Sequence, residues 1–177
     1  VVLRRLQAQT ILSDLELVLV MPATAAPAVR PERLAGFRAV RQVHVSAITA
    51  IGPAYAAGVR AAQAEVVALG EDHCFPEPDW AEALLAAHGE GIAAVGPALR
   101  NANPGNAVSW ADLLIAYAPW LHPAPALDTA FLPGHNSSYR RAVLLACGER
   151  LEALLDTETL LHWELRQRGL RLRLQPR

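Results

Sequence analysis

The sequence predicts an α/β domain with a mainly parallel sheet, and three observations lead there. Short apolar runs rich in Val, Leu and Ile, at 16–20, 65–69 and 92–95, alternate with longer stretches of helical period. The chain has 177 residues, enough for one core, and hydrophobic residues make up 53%, which excludes a disordered polymer. No repeat, low-complexity tract or shift of composition divides it, so a single domain over 1–177 is expected.

Taken in order, residues 1–9 read as part of a helix, with Val2, Leu3 and Leu6 on one face. Residues 16–20, ELVLV, form a clear strand, and 21–31 is a loop rich in Pro and Ala. Residues 42–49 alternate weakly, with Val43, Val45 and Ala47 against His44 and Ser46, as a strand does. A helix of small residues follows over 52–63, then the strand 65–69, stopped by Gly70. The segment 79–88 is a helix with Trp80, Leu84 and Leu85 inward and Gly89 as its stop. Ile92 to Val95 are read as another buried strand. From 97 to 133 the pattern degrades into Asn- and Pro-rich loops around a helix at 109–117, and long irregular segments in compact domains are often binding loops. Residues 131–139 read as extended around a turn at Gly134, 140–147 as helix, 156–168 as a helix ended by Gly169, and 170–174 as a last strand.

Several function classes fall away on composition. The formal net charge is -1, so non-specific nucleic-acid binding is not expected. No apolar run approaches the ~20 residues of a membrane span, and no signal peptide is visible at the amino end. The two cysteines, Cys74 and Cys147, suit a reducing compartment, and the expectation is a cytoplasmic protein. Arg166, Arg168, Arg171, Arg173 and Arg177 make a basic carboxyl end. Such a run is ordinarily a solvated face, and it also suits peripheral contact with anionic lipid at the inner membrane face.

Chemistry concentrates just after the strand 65–69. Glu71, Asp72 and His73 follow it directly, then Pro76 and Pro78 break regular structure before Asp79-Trp80. In open α/β sheets, ligands bind beyond the carboxyl ends of strands. Carboxylates and an imidazole there can hold a manganese- or magnesium-type cation, or they can be ordinary turn residues bonding backbone amides. A Cys-His zinc site at His73-Cys74 lacks a second Cys-His pair at ligand spacing. A second cluster is 134–141, GHNSSYRR: Gly134 allows close backbone approach, and Asn136 offers donor and acceptor, while Asn136 or Ser138 can equally cap the next helix. A third is 156–169, DTETLLHWELRQRG, where Asp156 suits an N-cap and Glu158 the positive end of a helix. Trp110, Trp120 and His122 either pack the irregular segment or stack on sugar rings.

Together these segments resemble glycosyltransferase family 2. An apolar strand, an acidic triplet and a P-x-P-x-W turn resemble its metal-binding segment, with Glu71-Asp72-His73 in place of Asp-x-Asp. The GHNSSYRR stretch resembles its G-G-N-x-x-Y/F-R-R segment, with His135 for the second Gly, and residues 156–169 resemble its E-D-x-x-L-x-x-R-x-x-x-x-G segment. The resemblance implies a GT-A fold, which is Rossmann-like with helices flanking the sheet, here lacking the family's first β-strand. It implies transfer of a sugar from a nucleotide-sugar donor to a carbohydrate or lipid-linked acceptor, with inversion and with metal assistance. It assigns His73, with Asp72 and Glu71, to the metal, Gly134, His135 and Asn136 to the donor and acceptor cleft, and Glu158 to the base, with Asp156 in reserve. Met21-Pro22 stands where the family has Asp-Asp, AYAAG at 54–58 where it has A-R-N-x-G, and Glu164 where it has Arg. Those departures keep a second expectation open, a non-catalytic binding or assembly module on the same fold. A nucleotidyltransferase is a weaker third, since its Gly-rich phosphate loop is not found here.

Overall fold

The computed structural model describes residues 2–24, 29–71, 74–134 and 136–176. Helical and extended segments alternate as the periodicity requires. α1 (Val2–Leu6) leads to β1 (Glu16–Pro22), β2 (Ala39–Val45), α2 (Ile51–Ala61), β3 (Val66–Ala68), α3 (Trp80–Ala87), β4 (Ile92–Pro97) and α4 (Ala107–Tyr117). Then come β5 (Leu127–Thr129), β6 (Ser138–Arg140), α5 (Arg141–Leu145), α6 (Leu151–Asp156), α7 (Glu158–Gln167) and β7 (Arg171–Gln175). The expected helix at 156–168 forms as α7 over 158–167; Asp156 instead ends α6, and Thr157, whose φ of -139° lies far from helical values, separates the two.

The sheet is mixed rather than mainly parallel. β1 and β2 form a parallel pair of their own. The other five strands lie in the order β3-β6-β4-β7-β5. Only β4 and β7 are parallel neighbours there; β6 is antiparallel to both β3 and β4, and β5 is antiparallel to β7. β3, β4 and β7 therefore run the same way, as crossover helices demand. The chain that turns at Gly134 sends β6 back between β3 and β4, and this reverses the local pairing.

Two apolar layers cover the five-stranded sheet. On one side Ala56 and Val59 of α2, Leu144 of α5, Leu151, Leu154 and Leu155 of α6, and Leu161 and Leu165 of α7 pack with Ala93, Ala94, Tyr139 and Leu172. On the other, Trp80 and Leu84 of α3 pack with Ile92 and Val95. β4 can serve both because its register against β7 shifts between Ile92 and Ala94. All six of its residues are buried, which makes it the centre of the molecule. Leu85, expected inward, is exposed, because Trp80 and Leu84 already fill the side of α3 that meets the sheet. α4 differs from the other long helices: none of its residues is buried, and Val108, Leu114 and Ile115 are exposed.

Three polar ties hold the elements around β3. The buried Gln9 donates to the Glu77 carbonyl at 2.7 Å and accepts from the Ala81 amide at 2.9 Å, capping α3 from another segment. The Glu16 carboxylate, at the start of β1, accepts from the Gln63 and Ala64 amides just ahead of β3, at 2.8 and 3.2 Å, and pairs with Arg41. Burial alone would raise this carboxyl, but those amides and the guanidinium outweigh it and hold it below its ordinary value. The Asp156 carboxylate accepts from the Gly52 amide at 2.6 Å and so caps α2 rather than its own following helix. Gly52 is required there, since a Cβ would stand 2.2 Å from the Glu152 carbonyl oxygen.

Candidate functional site

The site starts where β3 ends. The ladder runs on past the strand: the Leu69 amide donates to Ser137 O at 3.0 Å, and the Asn136 amide donates to Leu69 O at 2.7 Å. This lays 134–137 beside 69–71. Asn136 has a φ of +63°, a left-handed conformation that Asn tolerates better than most residues. Its side-chain amide donates to Cys74 Sγ at 2.8 Å, which ties the turn to the segment after Glu71. Asp72, His73 and His135, the expected ligands and cleft residue, lie outside the described residues.

Glu158 arrives from the far side as the first residue of α7. It packs against Gly134 so closely that a Cβ there would stand 2.6 Å from Glu158 Cδ. Gly134 thus has a defined task, since it leaves room for a carboxyl group. The three tyrosines of the chain feel the charges of this region. Burial raises the Tyr55 phenol well above its ordinary value, and Glu71, Glu158 and Cys74 raise it further. Burial and then the same three groups, with Asp112, raise Tyr117. Burial, then Glu158 and Tyr55, raise Tyr139. Glu71 and Cys74, three residues apart, and Glu158 from a distant segment thus act on the same two phenols, Tyr55 and Tyr117. Tyr139 Oη meets His162 Nε2 at 2.8 Å and their rings stack, while burial pushes the His162 imidazole down to about 4.

Of the sequence-predicted residues, the fold brings Glu71, Gly134, Asn136 and Glu158 together. Asp156 lies two residues from Glu158, with its carboxylate on the Gly52 amide. Ser138 caps no helix: it sits in β6, with its hydroxyl on Val95 O and on His88 Nε2. Glu164 forms an ion pair with Arg150. Trp110 and Trp120 donate their ring N–H groups to Pro104 O and Phe131 O, and His122 holds Arg100, so all three fasten the irregular segment. At the carboxyl end, Arg171 and Arg173 lie against Asp128, and Arg171 also donates to Glu90 O. Tyr55 and Tyr117 were not picked out from the sequence, and Cys74 was weighed there only for a zinc site with His73. The available signal was scarcity, since a chain with three tyrosines that sets one in a helix of Gly and Ala does so for a reason.

Among the described residues no group of three His, Cys, Asp or Glu side chains closes a metal site. Two surface hollows, of about 380 and 490 Å³, lie elsewhere, one beside Asp128 and Arg166 and the other beside Asp79 and Gln175.

No family model matches the chain, and no curated protein matches it. A mycobacterial protein known from its crystal structure is similar in fold, with a TM-score of 0.52 at 16% identity, over 99% of this chain and 69% of that one. Among the described residues no helix is long and apolar enough to cross a membrane.

Proposed function

We propose that the chain is a glycosyltransferase of GT-A type, moving a sugar from a nucleotide donor to an acceptor hydroxyl with inversion. One observation carries this reading. Glu71, Gly134, Asn136 and Glu158 come from three segments that resemble three separate glycosyltransferase motifs, and they meet at the carboxyl end of one strand. Glu71, together with Asp72 and His73, is the place for a manganese or magnesium ion. Such an ion, when bound, offsets the charge that builds on the departing diphosphate. Asn136, fixed by backbone and side-chain bonds, offers its polar groups to the donor. Glu158 takes the proton of the acceptor hydroxyl as its oxygen bonds to the anomeric carbon and the diphosphate leaves with the bonding electrons.

The parallel pair β1 and β2 is tied to the elements around the site. α2 packs against both β1 and β2, and Gly58 lies under Val18 and Val20 of β1. Glu16 ties the start of β1 to the approach to β3 through a side chain rather than through ladder bonds. Calorimetry with uridine and guanosine diphosphates, with and without manganese, tests the reading. Metal-dependent binding is expected, kept in Glu158→Gln while transfer falls by 10²-fold or more. Absence of metal-dependent nucleotide binding by the wild type refutes it.

A second reading, a binding or assembly module, draws on Asp156 and Glu164, which are committed to structural bonds in place of the family's polar site pattern. It predicts nucleotide or sugar binding that Glu158→Gln leaves intact, with no transfer by the wild type.

A further inference from the structure

His162, a buried polar residue of α7, touches both limbs of one turn. Its Nε2 meets Tyr139 Oη at 2.8 Å, and its Nδ1 accepts from the Leu132 amide at 3.5 Å. Leu132 and Tyr139 lie on either side of Gly134, one at the entry to the turn and the other at its exit into β6. Both limbs are fixed. Tyr139 is fully buried and pairs with Val67 of β3 and Ala94 of β4. Leu132 is buried against Gly96, where a Cβ would stand 2.9 Å from its Cδ2. Within the turn, Ser137 Oγ donates to the Pro133 carbonyl. The first turn of α7 has no side-chain cap, and Thr157 ahead of it is not helical. Glu158 therefore takes its place from the residues that follow it, of which Leu161, His162 and Leu165 are buried. The two leucines supply apolar packing, which has no direction; the imidazole supplies directed bonds.

We propose that His162 is a positioning residue for Glu158: its imidazole clasps both limbs of the 132–139 turn and so holds the Gly134 tip against the carboxyl group one helical turn back on α7. The contact it serves is close, since a Cβ at Gly134 would stand 2.6 Å from Glu158 Cδ. Residues four apart are neighbours on a helix, so a fixed ring at 162 fixes the turn that carries 158. The partners also dictate the tautomer. A backbone N–H only donates, so Nδ1 carries the lone pair, and Nε2 carries the proton and donates it to Tyr139 Oη. Burial keeps the ring neutral at neutral pH, and a proton on Nδ1 would set one donor against another at the Leu132 amide. Asn136, on the same turn, is held separately by its bonds to Leu69 O and Cys74 Sγ. Loss of the clasp therefore moves the tip against Glu158 more than it moves Asn136. That Glu158 is a base rests on the glycosyltransferase reading; the clasp itself does not.

The experiment splits the clasp. His162→Asn keeps an oxygen near the place of Nδ1 for the Leu132 amide and drops Tyr139; His162→Gln keeps an amide near the place of Nε2 for Tyr139 and drops Leu132. Ile92→Val, in the apolar layer on the other side of the sheet, is the control for mild destabilisation. Isotope-labelled proteins are followed by NMR at neutral pH. Turnover is measured with manganese and uridine diphosphate-glucose or guanosine diphosphate-mannose, as release of the sugar. The wild-type ring is expected to show one tautomer, with its proton on Nε2. The Gly134 amide and Glu158 carboxyl resonances should shift in both His162 variants and hold in Ile92→Val. In both His162 variants kcat should fall by about tenfold or more, with the donor KM within about threefold, while Ile92→Val leaves both within about threefold. A proton on Nδ1 overturns the proposal, as do Gly134 and Glu158 resonances that move no more than in the control, or turnover equal to wild type. Where a His162 variant fails to fold, Tyr139→Phe, which removes one oxygen and keeps the ring, carries the same readouts. If the tautomer and the resonance shifts are as expected but the wild type turns over neither sugar nucleotide, the clasp stands and the sugar-transfer reading falls.

Discussion

Gly134 is where a single hydrogen decides the geometry of the site. Any β-carbon there presses on the end of the Glu158 side chain, at 2.6 Å from Cδ. That side chain is flexible, so the clash is relieved by turning the carboxyl away rather than by unfolding. Gly134→Ala is therefore expected to change stability by less than about 1 kcal/mol. Displacement of a base by about 1 Å can cost on the order of 10²-fold in rate. The check is Tm together with turnover on whichever nucleotide sugar the wild type accepts; a large Tm loss with unchanged turnover would contradict this role. The pattern G-x-N pointed to this turn from the sequence, and the turn forms as expected. The reason for Gly was not legible there, because its neighbour Glu158 lies 24 positions away and nothing local announces the contact.

At the scale of elements, the capping of α2 by Asp156 was hidden in the same way. Asp before an apolar helical run reads as the cap of that run, yet α7 starts without a side-chain cap and the carboxylate serves α2. Loss of such a cap costs about 1–2 kcal/mol, so Asp156→Ala should lower Tm by about 2–8 °C in a chain of this size. Asp156→Asn, which keeps an oxygen for the Gly52 amide, should restore most of that loss and leave turnover within about threefold. Abolished turnover in a stable Asp156→Asn variant would move the base from Glu158 to Asp156. Elements of five or more residues with clear apolar period, such as β1, α3 and β4, were readable because burial on one or two faces dictates their composition. β5 and β6 are three residues each, too short to carry a period, and the mixed pairing followed from them.

For the whole molecule, acid sensitivity follows from the histidines set into it. His162 is 1% exposed, and burial pushes its imidazole from an ordinary 6.5 down to about 4. The unfolded chain binds that proton more readily, so stability is complete above pH 6.5 and falls as pH drops from there to about 4. Below that, both states are protonated and this group costs nothing more. A shift of this size corresponds to on the order of 3 kcal/mol. His88, likewise pushed down to about 4 by burial and then by Arg140, acts in the same window. Urea unfolding at pH 7, 5.5 and 4 should show the loss, and His162→Asn should flatten part of it; a parallel pH profile would show that the imidazole is not the source.

The joint between α2 and α6 has one more effect. The 2.6 Å bond from the Gly52 amide to the Asp156 carboxylate fixes the start of α2 against the end of α6, two residues ahead of Glu158. With the Glu152 carbonyl blocking any larger residue at position 52, the joint cannot widen without breaking. It limits how far the turn that leads into Glu158 can drift from α2. Altering it would shift the start of α7 while leaving the Glu158 carboxyl group itself chemically untouched.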